Sequence, residues 1–195
     1  MINSERLDFL CQWVTAPRRV GAVLPSSQAL GELITSEIGP EDAPIIELGA
    51  GTGSFTRQLI ARGVPESELV LVELGEDFAR QLSRKYSQAH VHRIDAQRLL
   101  RLRMPTAHLA GAVISGLPLL SMSELQVARI LRGAFRHLRR DGVLYQFTYG
   151  PGCPVSRPLL ERLGLRARYL GKTLANVPPA RVYRISRQAW TTRTG

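Results

Sequence analysis

The stretch IIELGAGTGSF, residues 45–55, constrains the fold of this 195-residue chain more than any other segment. A short apolar run passes directly into glycines at 49, 51 and 53, the pattern of a buried strand that ends in a tight, unusually turned loop. Four more apolar runs repeat the strand motif, ELVLVEL, HVHRID, GAVIS and VLYQFTY, with helical patterns between them near 54–62, 76–88 and 123–139. Ser121 and Glu124 have capping-box spacing at the start of the last helical pattern, and Asp141-Gly142 predicts its end. Such alternation predicts a doubly wound, mostly parallel sheet. The tail departs from it: LRARYLGKTL and ARVYRIS, joined by ANVPP, predict a closing antiparallel hairpin.

Ligands of open α/β sheets sit beyond the carboxyl ends of the strands, so the glycine turn marks a cofactor site. A dinucleotide loop has the spacing G-x-G-x-x-G, but here the sixth position is Ser54 and the spacing is Gly49-x-Gly51-x-Gly53. Glu47 lies just ahead of it, where a carboxylate repels a pyrophosphate but suits the cationic amine and sulfonium of S-adenosylmethionine. Three more strand ends agree with that cofactor. Glu73 ends the second strand, where it can accept both ribose hydroxyls; Asp95-Ala96 follows the third, where the acid can accept an adenine amine; Ser115-Gly116-Leu117-Pro118 ends the fourth, beside the departing methyl group. Any one such carboxylate also suits a cap or a surface charge.

The net charge of +10 is unevenly distributed. Residues 1–92 carry 8 Lys/Arg against 12 Asp/Glu, a balance of −4, and residues 93–195 carry 18 against 4, a balance of +14. Arginine makes up 24 of the 26 basic residues, which suits an anionic partner and equally reflects a genome bias. Arg129, Arg132, Arg136 and Arg140 form a helical stripe, and Arg98, Arg101 and Arg103 a second cluster; either is a solvated face or a contact for anionic lipid. Cys11 and Cys153 have neither disulfide-framework nor zinc-ligand spacing, so no metal is expected. With no signal-peptide pattern and no long apolar run, a cytoplasmic chain that does not span a membrane is expected.

Together, IIELGAGTGSF, Glu73 and IDA resemble the class I S-adenosylmethionine-dependent methyltransferases, and VGAVLPSS, ISGLPLLSM, YQFTYGP and NVPPARVY resemble the bacterial phospholipid N-methyltransferases. The resemblance covers about Phe9 to Ile185. It implies a Rossmann-like, seven-stranded, mostly parallel sheet with an antiparallel C-terminal hairpin. Residues 1–40 would form a helical extension for membrane docking and closure, and residues 41–190 the cofactor-binding domain. The implied reaction is stepwise methylation of phosphatidylethanolamine to phosphatidylcholine by a peripheral enzyme on the cytoplasmic face of the membrane. A monomer is expected, with no nucleic-acid partner.

Further site expectations follow. Ser26 and Ser27 cover the methionine end of the cofactor or cap the helix that follows. Backbone carbonyls at Ser115 and Gly116 accept amine hydrogen bonds, with Leu117 and Pro118 beside the substrate. Tyr145, Phe147 and Tyr149 share one strand face, from which tyrosine hydroxyls could orient the amine. By resemblance, Asn176 and Arg181 contact headgroup phosphate. Phe9 and Trp13 lie beside Leu7, Leu10 and Val14 at helical spacing, and Arg18 and Arg19 flank them, a surface suited to a headgroup layer or to packing on the domain itself. The rival reading is an adenine dimethyltransferase of ribosomal RNA. Its Asn-Leu-Pro-aromatic motif is replaced here by Ser115-Gly116-Leu117-Pro118-Leu119, and no helical RNA domain is expected after Ile185.

Overall fold

A computed structural model describes residues 26–105, 108–176 and 179–188. Seven strands form one sheet: β1 (Ile45–Leu48), β2 (Leu69–Glu73), β3 (His90–Arg93), β4 (Ala110–Ser115), β5 (Leu138–Thr148), β6 (Leu165–Thr173) and β7 (Ala180–Arg187). Their order is β3-β2-β1-β4-β5-β7-β6. The first five are parallel, and β7 is antiparallel to both β5 and β6. The expected sheet and C-terminal hairpin are both present, with β7 inserted between β5 and β6.

Strand order reverses between β1 and β4, which opens the crevice where such sheets bind ligands. Leu48 pairs with both Val72 and Ser115, so the loops after β1, β2 and β4 leave the sheet side by side.

Alternation along the strands separates two cores. Ile46, Leu48, Val70, Val72 and Val113 face α4 (Glu124–His137) and α5 (Arg157–Arg162). Ile45, Leu71 and Ile114 face α1 (Ser26–Ile34), α2 (Ser54–Ala61) and α3 (Glu76–Lys85). The described end of the N-terminal extension belongs to this second core: Leu30, Ile34 and Ile38 are all buried.

Two helix boundaries differ from the sequence reading. The cap of α4 is Ser123, whose backbone N–H donates to Gln126 Oε1 at 2.9 Å and whose hydroxyl accepts from the Gln126 N–H. Ser121 instead donates to the Pro118 carbonyl in a 3-10 turn, Leu119–Ser121. At its other end α4 stops at His137 rather than at Asp141-Gly142, which lies within β5. Arg187 of β7 supports the stop, donating to the Phe135 carbonyl in the last turn of the helix and to the carbonyls of Leu138, Arg139 and Arg140 just past it. The sequence reading also omitted α5, which Ser156 caps, and a 3-10 helix, Ala96–Arg101, that packs on α4.

Candidate active site

The loop after β1 takes its shape from glycine. Gly49, Gly51 and Gly53 have φ of 70°, 54° and 76°, in the left-handed region that other residues rarely enter. Gly49 also faces the loop after β4, where a Cβ would lie 2.9 Å from Leu117 Cδ2. From the other side, a Cβ on Gly116 would meet the Gly49 carbonyl oxygen at 2.9 Å. The two loops therefore touch backbone to backbone at the switch point.

Two carboxylates frame this crossing and have different roles. Glu73 is tied down: Oε2 accepts the Gly51 N–H at 2.8 Å and Oε1 the Gly75 N–H at 2.7 Å. Each oxygen keeps a second lone pair, the arrangement a pair of ribose hydroxyls requires. Glu47 is buried, with Oε2 accepting the Thr56 hydroxyl at 2.6 Å and Oε1 without a partner. Burial pushes its pKa up to about 8, the Glu73 charge adds to the rise, and the Thr56 hydrogen bond opposes it.

Beyond β3, Asp95 accepts the Gln97 N–H at 2.8 Å and caps the 3-10 helix that follows. It lines a cavity of about 490 Å³ with Leu74, Arg93, Ile94 and Arg98. Leu74 follows Glu73 and is 66% exposed, an apolar platform beside the acid. Ala96, behind Asp95, is buried.

On the other side of the switch point, Ser115 is buried and its Oγ accepts the Leu117 N–H at 3.4 Å. Gln146, buried on β5 opposite Ser115, donates to the Leu117 carbonyl at 3.0 Å and to the Phe147 carbonyl at 2.7 Å, which holds the Gly116-Leu117-Pro118 turn against the strand end. Tyr149 lies past that end. Its hydroxyl accepts from Asn176 Nδ2 at 3.4 Å, and Arg181 donates to the Gly150 carbonyl at 2.8 Å. Tyr149, Asn176 and Arg181 are thus brought together, and burial raises the Tyr149 pKa.

A family profile described as Methyltransferase domain matches residues 45–142, just over half of the chain. The chain belongs to this family. Two curated relatives show its spread. An ornithine lipid N-methyltransferase of Singulisphaera acidiphila is 28% identical over 148 residues, which cover 73% of this chain and 77% of that protein. A ribosomal RNA small subunit methyltransferase A of a Synechococcus strain is 34% identical over 101 residues, which cover 51% of this chain but only 33% of that protein. Among solved structures, the glycopeptide N-methyltransferase MtfA complexed with S-adenosyl-L-methionine matches with a TM-score of 0.63 at 11% identity, over 85% of this chain and 95% of that one, which shows a common fold.

The cofactor of this methyltransferase is S-adenosylmethionine, and the residues fit it. The partnerless Oε1 of Glu47 suits a cationic amine, the spare lone pairs of Glu73 suit a ribose, and Leu74 with Asp95 suits an adenine. When bound, this cofactor supplies an electrophilic methyl group on a sulfonium. The work left to the chain is to orient a nucleophile in line with that methyl and to exclude water. No metal-binding group of His, Cys, Asp or Glu occurs among the described residues.

The structure does not bring Tyr145 to this site. Its hydroxyl donates to Glu37 at 3.2 Å, in a second cavity of about 530 Å³ lined also by Asp42, Gly111, Arg139 and Arg184. The backbone of Tyr145 pairs with Ile114, level with Glu47, but its hydroxyl is turned to Glu37 and away from the Ser115-Gly116 turn, which corrects the expectation that this hydroxyl orients the amine. Helix α1 starts at Ser26, but the side chains of Ser26 and Ser27 lie outside the described residues, as do Phe9, Trp13, Arg18 and Arg19. Three contributors were missed in the sequence: Thr56, Leu74 and Gln146. Leu74 had a local signal, an apolar residue directly after a strand-end acid; the others are recognised only by what they touch.

Proposed function

We propose that this methyltransferase transfers methyl groups to the amine of an ethanolamine phospholipid, converting phosphatidylethanolamine through its mono- and dimethyl forms to phosphatidylcholine. One observation carries the lipid-amine part of the reading: similarity to the ornithine lipid N-methyltransferase extends over about three quarters of both chains, and the ethanolamine phospholipid comes from the resemblance read in the sequence. By contrast, similarity to the ribosomal RNA enzyme spans a third of that protein.

Surface chemistry at the mouth supports a lipid substrate. Leu120, Leu125 and Leu174 are 45%, 60% and 68% exposed, and all three lie at the carboxyl end of the sheet beside the site. Apolar side chains in that position suit a bilayer surface better than a nucleic acid. Arg129, Arg132 and Arg136 are exposed on α4, Arg140, expected on the same helical stripe, is exposed on β5 instead, and Arg98, Arg101 and Arg103 are exposed on and after the 3-10 helix packed against α4, so both sets suit anionic headgroups. No helix among the described residues is long and apolar enough to cross a membrane, consistent with a peripheral mode of attachment. We assign that attachment to the cytoplasmic face, with the chain acting as a monomer.

In the reaction, the amine's N–H groups meet the backbone carbonyls at Ser115 and Gly116, with Leu117 and Pro118 against the lipid. Arg181, anchored on Gly150, turns its remaining N–H groups to the phosphate, and Asn176 lies beside it. The test mixes purified protein and methyl-labelled cofactor with phosphatidylethanolamine vesicles and undermethylated ribosomal RNA. Label in the lipid fraction is the expected result. Label confined to RNA would reassign the basic half of the chain to nucleic acid.

A further inference from the structure

Beside the glycine loop, aromatic rings run in series from the start of α2 to the carboxyl end of β5. Phe55, the second residue of α2, meets Phe147 edge to face with centroids 5.9 Å apart, and Phe147 meets Tyr149 in the same manner at 5.5 Å. All three rings are only partly buried. At the end of the run stands Asn176, 4% exposed, whose Nδ2 reaches Tyr149 while Oδ1 has no partner. A buried amide oxygen left without a donor costs about 1–3 kcal/mol, so its retention beside the site implies a donor that arrives with a ligand.

We propose that Phe55, Phe147, Tyr149 and Asn176 form an ammonium-holding site that lets one enzyme carry an amine through successive methylations, a division of labour that rests on the lipid-amine reading above. In each round the amine lone pair forms the new N–C bond, the C–S bonding pair passes to sulfur, and positive charge develops on nitrogen. A primary amine spreads that charge through two N–H groups, of which the Asn176 Oδ1 accepts one and the carbonyls of the Ser115-Gly116 turn the other, and a secondary amine keeps one N–H for either acceptor. The ammonium product of each of these rounds then loses its proton to solvent before the next. A dimethylated amine has no N–H left to donate. Its developing charge lies on methyl groups, which the negative faces of aromatic rings attract and an amide oxygen serves poorly. The amide therefore favours the early rounds and the rings the last.

The test measures initial rates on phosphatidylethanolamine and its monomethyl and dimethyl forms, each supplied separately, for wild type, Phe147→Leu, Tyr149→Phe and Asn176→Ala. Phe147→Leu should slow the dimethyl substrate about three- to thirtyfold more than the unmethylated one. Asn176→Ala should show the opposite bias, and Tyr149→Phe, which keeps the ring but removes the hydroxyl that orients the Asn176 amide, should share the bias of Asn176→Ala. A turnover-free readout accompanies these rates: chemical-shift titration with phosphocholine and phosphoethanolamine, in which Phe147→Leu should weaken phosphocholine alone. Unchanged cofactor affinity certifies that the variants are folded. Equal slowing on all three lipids, or phosphocholine binding unaffected by Phe147→Leu, overturns the proposal. Wild type inactive on all three lipids would refute the lipid reading instead, and the phosphocholine titration would then decide this site by itself.

Discussion

Glu47→Gln should make the cofactor-free protein more stable while weakening its grip on S-adenosylmethionine. The reason lies in the burial of Glu47 and its partnerless Oε1, which hold its pKa near 8 against a reference of 4.5. Between those values the folded state retains a proton that the unfolded chain has released. The stability contributed by the neutral carboxyl is therefore fully present below about pH 4.5 and is lost as pH rises toward 8. The loss is on the order of 1 kcal/mol at pH 5.5 and roughly 3 kcal/mol at pH 7. Glutamine has the shape of the protonated acid and does not titrate, so the variant avoids the loss. For a chain of this size that corresponds to a melting temperature roughly 6–12 °C higher at pH 7, and much less at pH 5.5. Thermal unfolding of both proteins without cofactor, at pH values between 5.5 and 7.5, reads the difference directly. A variant no more stable than wild type at pH 7, or a difference that does not grow with pH, would refute the account of Glu47 as a carboxyl kept in an unfavourable setting for its ligand.

Other expectations follow from the same geometry. Glu73→Ala removes the acceptor shared by the Gly51 and Gly75 amides, and calorimetric titration should show cofactor affinity reduced at least tenfold. Gly116→Ala drives a methyl group to 2.9 Å from a backbone oxygen, and should cost on the order of 1–3 kcal/mol in denaturant unfolding together with most of the activity. Tyr145→Phe should leave methyl transfer unchanged, because that hydroxyl serves Glu37; a large fall in turnover would restore it to the site. Leu125→Ser with Leu174→Ser should weaken co-sedimentation with anionic vesicles and leave cofactor affinity intact.

What the sequence made legible was local. Glu47, Glu73, Asp95 and the Ser115-Gly116 turn were recognisable because each directly ends a strand, and parallel strands place their carboxyl ends at one edge. Alternation also put Tyr145, Phe147 and Tyr149 on one face, but a face has length. Tyr149 lies past the strand end about 13 Å further along, whereas Tyr145, level with Glu47, turns its hydroxyl to Glu37, a partner that alternation does not reveal. Long-range partners left no trace in local pattern. The stop of α4 is supported by Arg187, some fifty residues later, and the Asn176 amide becomes informative only once the hairpin turn returns it to Tyr149. Thr56 looked like any polar residue of a helix first turn until its hydroxyl was found on Glu47.

The most direct test of the central claim is a lipid extract. The chain, and separately its Glu73→Ala variant, would be expressed in a bacterium that makes phosphatidylethanolamine but no phosphatidylcholine, and the total lipids separated by headgroup and weighed by mass spectrometry. Mono-, di- and trimethylated phosphatidylethanolamine with the wild-type chain, and none with the variant, is the predicted result. Unmodified phosphatidylethanolamine in both cultures, with the wild-type protein folded and binding S-adenosylmethionine, would contradict it.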